Sequence, residues 1–267
     1  MSSLLVRPQQ PDAQGKVLEV TPESAGWSHV GFRLHRLAAG QRIAADTGER
    51  EHCLVLLAGR ANVTSGDERW EAIGARMDVF EPVPPYAVYL PPGVDYHVEA
   101  LTPLELAVCS APGQGNQAAR LIVPDQINRS TRGSGSNTRH IHDVLPESEP
   151  ADGLLVVEVY TPAGNWSSYP PHKHDTDDLP HESMLEETYY HRLNPAQGFA
   201  FQRVYTDDRS LDETLTVEDG CVVMVPRGYH PVAAAHGYDL YYLNVMAGPR
   251  RVWTFRNDPE HAWMVEG

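Results

Sequence analysis

Five consecutive residues, Pro171-His172-Lys173-His174-Asp175, carry the densest metal-type chemistry in the chain. Two histidines one residue apart on an extended strand point to one face, because side chains alternate with period two. Glu186-Glu187 follows about a dozen positions later, then His191, then Pro226-Arg227-Gly228-Tyr229-His230. A third imidazole and a carboxylate from neighbouring strands would complete a pocket of three nitrogens and one oxygen. That donor set suits one divalent ion per chain, of the kind Zn, Mn, Fe, Ni or Co. Pro226 fixes φ and Gly228 tolerates a positive φ, so this segment reads as a tight turn that delivers His230 inward. A Pro-His-Lys-His-Asp stretch alone could be a solvated loop. The spaced glutamate and the Pro-x-Gly-x-His turn argue for a site.

The elements that must hold these residues read as strands. The 22 prolines and 21 glycines are spread through 267 residues, with short Val/Leu/Tyr/Phe runs between them. Segments with a 3.6-residue period are scarce. This texture predicts an all-β protein of many short strands. Leu90-Pro91-Pro92-Gly93-Val94-Asp95-Tyr96-His97 echoes Val225-Pro226-Arg227-Gly228-Tyr229-His230, each flanked by alternating segments. Two copies of one β-barrel in tandem explain the echo. The expected organisation is an N-terminal barrel over 1–125, a Gly/Ser-rich linker over 126–150 and a metal-binding barrel over 151–267. The first barrel offers only His52 and His97 and reads as structural or dimerising. The five tryptophans read as core or interface.

Net charge is −15, from 21 basic and 36 acidic residues. That balance argues against nucleic acid and anionic membrane as partners. No apolar run reaches the ~18 residues of a membrane span, and the first residues lack the pattern of a signal peptide. Cys53, Cys109 and Cys221 are odd in number and lack C-x-x-C spacing, which fits a reducing compartment. The expectation is a cytoplasmic protein acting on a small molecule and open to homo-oligomerisation.

Gly220-x5-Pro226-x-Gly228-x-His230 resembles the second motif of the cupin superfamily, and His172-x-His174 opens the first. That motif continues to a glutamate and then, seven positions on, a glycine. Seven on from Glu187 is Asn194, at an Asn-Pro turn; seven on from Glu186 is Leu193. Glu187 is therefore the expected carboxylate, with Tyr189 and His191 on its face. The stretch 175–184 reads as an insertion at the pocket mouth. Pro162 to Asp175, Leu185 to Tyr190, Gln197 to Tyr205 and Val225 to Pro231 together resemble the 5-deoxyglucuronate isomerases of bacterial myo-inositol catabolism. The resemblance implies a bicupin of two jelly-roll-like barrels that converts 5-deoxy-D-glucuronate into 5-dehydro-2-deoxy-D-gluconate. It implies His172, His174, Glu187 and His230 as metal ligands. A general base is needed, and Glu187, His191, Tyr189 and Lys173 all qualify. The sugar acid's carboxylate needs a cation, for which Arg203, Arg227 and Arg139 are the candidates. A 5-keto-4-deoxyuronate ketol-isomerase of pectin breakdown, an Fe(II) dioxygenase and a non-catalytic sugar-binding bicupin remain as alternatives.

Overall fold

A computed structural model of the chain describes residues 4–264. The all-β expectation holds: one four-residue α-helix, Pro22–Ala25, stands among β-strands and short 3-10 turns. No helix among the described residues is long and apolar enough to cross a membrane.

The residues form two compact units, one of 8–128 and 143–156, the other of 4–7, 129–142 and 157–264. The first contains a six-stranded sheet in the order Arg120–Ile122, Tyr86–Leu90, Arg50–Ala58, Leu104–Pro112, Gly31–Leu37, Lys16–Val20. Its second sheet has the order Arg42–Asp46, Asp95–Ala100, Ala61–Ser65, Glu68–Ile73. Strand sequence explains the difference between them. Arg50–Ala58 and Leu104–Pro112 are buried along nearly their whole length, so both faces are covered. Asp95–Ala100 alternates, with Tyr96, Val98 and Ala100 inside. Leu54, Leu56, Val88 and Leu106 of the large sheet share one core with Ile43, Val63, Tyr96 and Val98 of the small one.

Glu51 is a fully buried carboxylate in this unit. It accepts hydrogen bonds from the Asp152 and Gly153 amides (2.7 and 2.5 Å), from the Leu154 amide and from the Tyr89 hydroxyl (2.6 Å). Glu51→Ala strips three backbone donors and a phenol of their acceptor at once. With each orphaned buried donor costing about 1–3 kcal/mol, destabilisation by at least about 3 kcal/mol is expected in urea melts, and clearly less for Glu51→Gln.

The second unit repeats the plan. Most of a seven-stranded sheet belongs to it, in the order Leu5–Val6, Val222–Val225, Glu186–Asn194, Asp239–Ala247, Leu155–Thr161, Arg139–Leu145, Asn128–Arg132. A four-stranded sheet runs Trp166–Ser167, Val232–Ala234, Phe199–Tyr205, Asp212–Glu218. Two features differ from the expected organisation. The first strand, Leu5–Val6, pairs antiparallel with Val222–Val225 and so belongs to the second unit, where Arg7 also pairs with Glu218. And the stretch 126–150 is not an unstructured linker. It supplies strands Asn128–Arg132 and Arg139–Leu145, neighbours in the sheet. The Gly/Ser texture there is turn chemistry: Gly133 and Gly135 hold φ of 75° and 54°, and a Cβ on Gly133 would collide with the Asn137 carbonyl.

Candidate metal centre and active-site cavity

The strand His172–Lys173 pairs with Arg256–Asn257 and sends alternate side chains to opposite sides. His172 and His174 turn toward each other and toward His230; the three offer nitrogens within 4.8 Å of one another. Glu187 Oε2 lies 3.1 Å from His174 Nε2 and 3.2 Å from His230 Nε2. All four expected ligands are thus brought together. Glu186 is not in the cluster, as alternation along Glu186–Asn194 requires.

Each part of the cluster is held by its own surroundings. His174 Nδ1 lies 3.1 Å from the Leu185 carbonyl and His230 Nδ1 2.9 Å from that of Gly228, so both rings present Nε2 to the centre. Asn244 donates to Glu187 Oε1. The turn beneath His230 is fixed by Gly228, with φ 87° and its amide donating to Asp175 Oδ2 at 2.8 Å. A Cβ at Gly228 would strike the Tyr205 carbonyl, in a stretch where Tyr205 and Tyr229 exchange amide bonds of 2.9 and 2.7 Å.

The donor set fits a divalent ion. His230 Nε2 is buried without a hydrogen-bond partner. Burial, with the charges of His174 and Arg139, pushes His172 down to about 3, and burial brings His230 to about 3. Both are neutral, with lone pairs free, at any ordinary pH. Burial also opposes charge on His174, but its bond to Glu187 outweighs this and raises its pKa. His174 is therefore the ligand a proton contests. Metal affinity is expected to be flat at alkaline pH and to fall about tenfold per unit once pH drops below the His174 pKa. Competitive chelator titrations across pH check this.

Beside the cluster opens a cavity of about 190 Å³. His172, Glu187, Tyr189, Asn244, Tyr242 and Ser168 contribute to its wall, as do Arg132 and Arg139. Tyr189 Oη lies 2.9 Å from Ser168 Oγ, and burial beside Glu187 raises its pKa well above the usual phenol value. Arg139 is partly desolvated, which lowers its pKa, and its guanidinium donates to Asn137 O and Oδ1 at 3.0 and 3.1 Å. Phe255 packs on His172 with ring centroids 4.6 Å apart, and Arg132 sits 5.9 Å over the Trp253 ring.

Several expected site residues lie elsewhere. Lys173 points away from the cavity and is buried in an ion cluster with Asp175 (2.5 Å) and Glu182 (3.0 Å), which raises its pKa. His191 shares a face with Glu187 and Tyr189 but sits deeper. Its ring stacks on Tyr189 at 5.8 Å, its Nε2 meets Gln202 Oε1 at 3.0 Å, and burial lowers its pKa to about 4. Arg203 is on the outer face of Phe199–Tyr205, bound to Asp212 at 2.8 and 2.7 Å. In that strand Ala200, Gln202 and Val204 point inward, while Phe199 and Phe201 are exposed. Arg227 is exposed at the tip of its turn and does not line the cavity. Residues 175–184 form a hairpin of Asp175–Asp178 and Glu182–Met184, which also does not line it. Arg132 and Trp253 are cavity residues that pattern alone did not single out. In the first unit His52 is buried and His97 exposed, and among the described residues no three-ligand cluster occurs there.

Solved structures resemble the chain at two levels. An oxalate decarboxylase from Lactobacillus farciminis superposes with a TM-score of 0.67 at 13% identity, over 100% of this chain and 91% of that one. At that identity the likeness shows the fold alone, that of a cupin protein. The crystal structure of an IolB-like protein from Salmonella typhimurium LT2 superposes with a TM-score of 0.96 at 53% identity, over 98% of this chain and 99% of that one. Among curated proteins, the 5-deoxy-glucuronate isomerase of Geobacillus kaustophilus is 60% identical over 100% of this chain and 96% of its own length. The protein of the same name from Bacillus subtilis strain 168 is 48% identical over the full length of both. The family model described as KduI/IolB matches residues 4–264, and the chain belongs to the KduI/IolB family.

Proposed function

We propose that the chain is a 5-deoxy-glucuronate isomerase, the name its full-length relatives carry. The observation that carries the assignment is one cavity lined both by His172 and Glu187 of the imidazole–carboxylate cluster and by two arginines, Arg132 and Arg139. A sugar acid with an aldehyde at one end and a carboxylate at the other matches both. The reading places the enzyme in inositol catabolism and in a reducing compartment, in keeping with three free, buried cysteines.

His172, His174, Glu187 and His230 would hold the divalent ion, which supplies a Lewis acid for the oxyanion that develops as aldose becomes ketose. Arg139 and Arg132 bind the carboxylate and fix which end of the substrate faces the cluster. The reaction moves two protons, one from C2 to C1 and one from O2 to O1. Of the four candidate bases only Glu187 and Tyr189 line the cavity. The Glu187 carboxylate takes the C2 proton, its carboxyl exchanges with solvent, and it then delivers a proton to C1. Tyr189 is a neutral phenol paired with Ser168, and two adjacent hydroxyls can each accept and donate. They pass the second proton between the oxygens. Tyr189→Phe is expected to lower kcat about 10²-fold, with metal content intact and KM little changed; steady-state kinetics beside metal analysis check it.

The assignment is tested by assaying metal-loaded protein against 5-deoxyglucuronate and against 5-keto-4-deoxyuronate, with an oxygen electrode on the Fe(II) form. Turnover of the first substrate alone supports it. Preference for the second, oxygen uptake, or saturable binding without turnover would each replace it with one of the alternatives.

A further inference from the structure

The cavity wall has an order imposed by the sheet. Successive strands Glu186–Asn194, Asp239–Ala247, Leu155–Thr161 and Arg139–Leu145 are neighbours. They present to the cavity, in turn, Glu187 with Tyr189, Asn244 with Tyr242, Val157 with Val159, and Arg139 with Ile141. Within this sheet Glu187 stands three strands away from the Arg139 guanidinium. Between the polar pair and the arginine runs a strand whose cavity-facing residues are both valine.

We propose that Val157 and Val159 are specificity-determining residues. They seat the methylene beside the substrate carboxylate and select the 5-deoxy sugar acid against D-glucuronate, which carries a hydroxyl at that carbon. The inference rests on the functional reading above and extends it to substrate choice. Neighbouring strands lie about 4.8 Å apart, so a six-carbon acid with C1 and C2 at the cluster and its carboxylate at Arg139 must cross the valine strand. The carbon next to the carboxylate is the one that meets it.

The strand offers that carbon no hydrogen-bond partner. Val157 and Val159 are 2% and 5% exposed. The acidic residue between them, Glu158, points to the opposite face by alternation, where its carboxylate is engaged by His142 at 2.7 Å and by the Tyr241 hydroxyl at 2.9 Å. Ile141 extends the apolar surface toward Arg139. A hydroxyl pressed onto this surface loses water and gains nothing. An apolar pocket rejects an added hydroxyl by about 10²-fold.

The substrates also differ by themselves. Without a 5-hydroxyl the aldehyde cannot close a six-membered hemiacetal, so more of it is open-chain. That difference is the same for every variant and cancels when selectivity is compared between variants.

The test measures kcat/KM for 5-deoxyglucuronate and for D-glucuronate, the latter as a competitive Ki where turnover is too slow, in wild type, Val157→Thr and Val159→Thr. Threonine keeps the shape and β propensity of valine and adds a hydroxyl partner. Wild type is expected to favour the deoxy acid by about 10²-fold or more, and at least one variant to narrow the preference about tenfold with metal content unchanged and the fold retained by circular dichroism. Preference unchanged in both folded, metal-loaded variants would overturn the valine assignment while leaving the functional reading in place. No turnover of 5-deoxyglucuronate by wild type would overturn both.

Discussion

Replacing His172 and His174 together by alanine is expected to yield a folded protein that holds no stoichiometric divalent metal and has lost on the order of 10³-fold or more in kcat/KM. The size follows from what the ion supplies. Lewis-acid stabilisation of a developing oxyanion is worth several kcal/mol, and every ~1.4 kcal/mol is a factor of ten in rate. The fold is expected to survive because His172 sits on a two-residue strand at the cavity wall and His174 lies one residue beyond that strand. Loss of the rings also removes His174 Nε2 from beside Glu187 Oε2, where His230 Nε2 remains 3.2 Å away. The checks are metal analysis of purified protein, circular dichroism and kinetics at saturating added metal. A double variant that keeps one tightly bound ion per chain would show that the ligands lie elsewhere.

Arg139→Ala is expected to cost about 10–100-fold in kcat/KM, most of it in KM. A charge-assisted hydrogen bond contributes roughly 1.5–3 kcal/mol, and the partial burial of Arg139 limits the water that can replace it. Arg139→Lys recovers only part, since a point charge does not reproduce a planar fork. Arg203→Ala is the control. Its guanidinium is committed to Asp212 on the outer face of the smaller sheet, and its activity is expected to stay within about twofold of wild type, as exposed ion pairs contribute little. The reverse pattern, with Arg203→Ala the damaging change, would place the carboxylate outside the cavity described here.

The contrast between these arginines shows what the sequence made legible. The residues of the cluster could be found because each follows a short-range rule: one-residue spacing for His172 and His174, a Pro-x-Gly-x-His turn for His230, and the count of seven to the Asn194-Pro195 turn for Glu187. Arg203 was a candidate by its charge and its place on a strand near the site, and neither fixes the face it occupies. The strand turns Gln202 inside, because the buried His191 and the His230 carbonyl give its amide partners at 3.0 and 3.4 Å. Only the folded sheet reveals those partners. The Arg132–Arg139 segment failed for a related reason. Gly133, Ser134 and Gly135 have the composition of a flexible connection, and the same composition builds a turn between two paired strands. His191 had the right face and the wrong depth. Parity fixes direction along a strand, but depth depends on which side chains, here Tyr189 and Tyr242, stand in front.

The most direct test follows the reaction of 5-deoxyglucuronate by proton NMR in D₂O, with protein that has been metal-loaded, stripped by chelator and reloaded. The expected result is loss of the aldehyde signal, one deuterium appearing at C1 of the ketose, arrest after stripping and recovery on reloading. Conversion that continues at full rate in stripped protein would contradict the metal centre. Conversion without deuterium at C1 would contradict proton transfer by Glu187 through exchange with solvent.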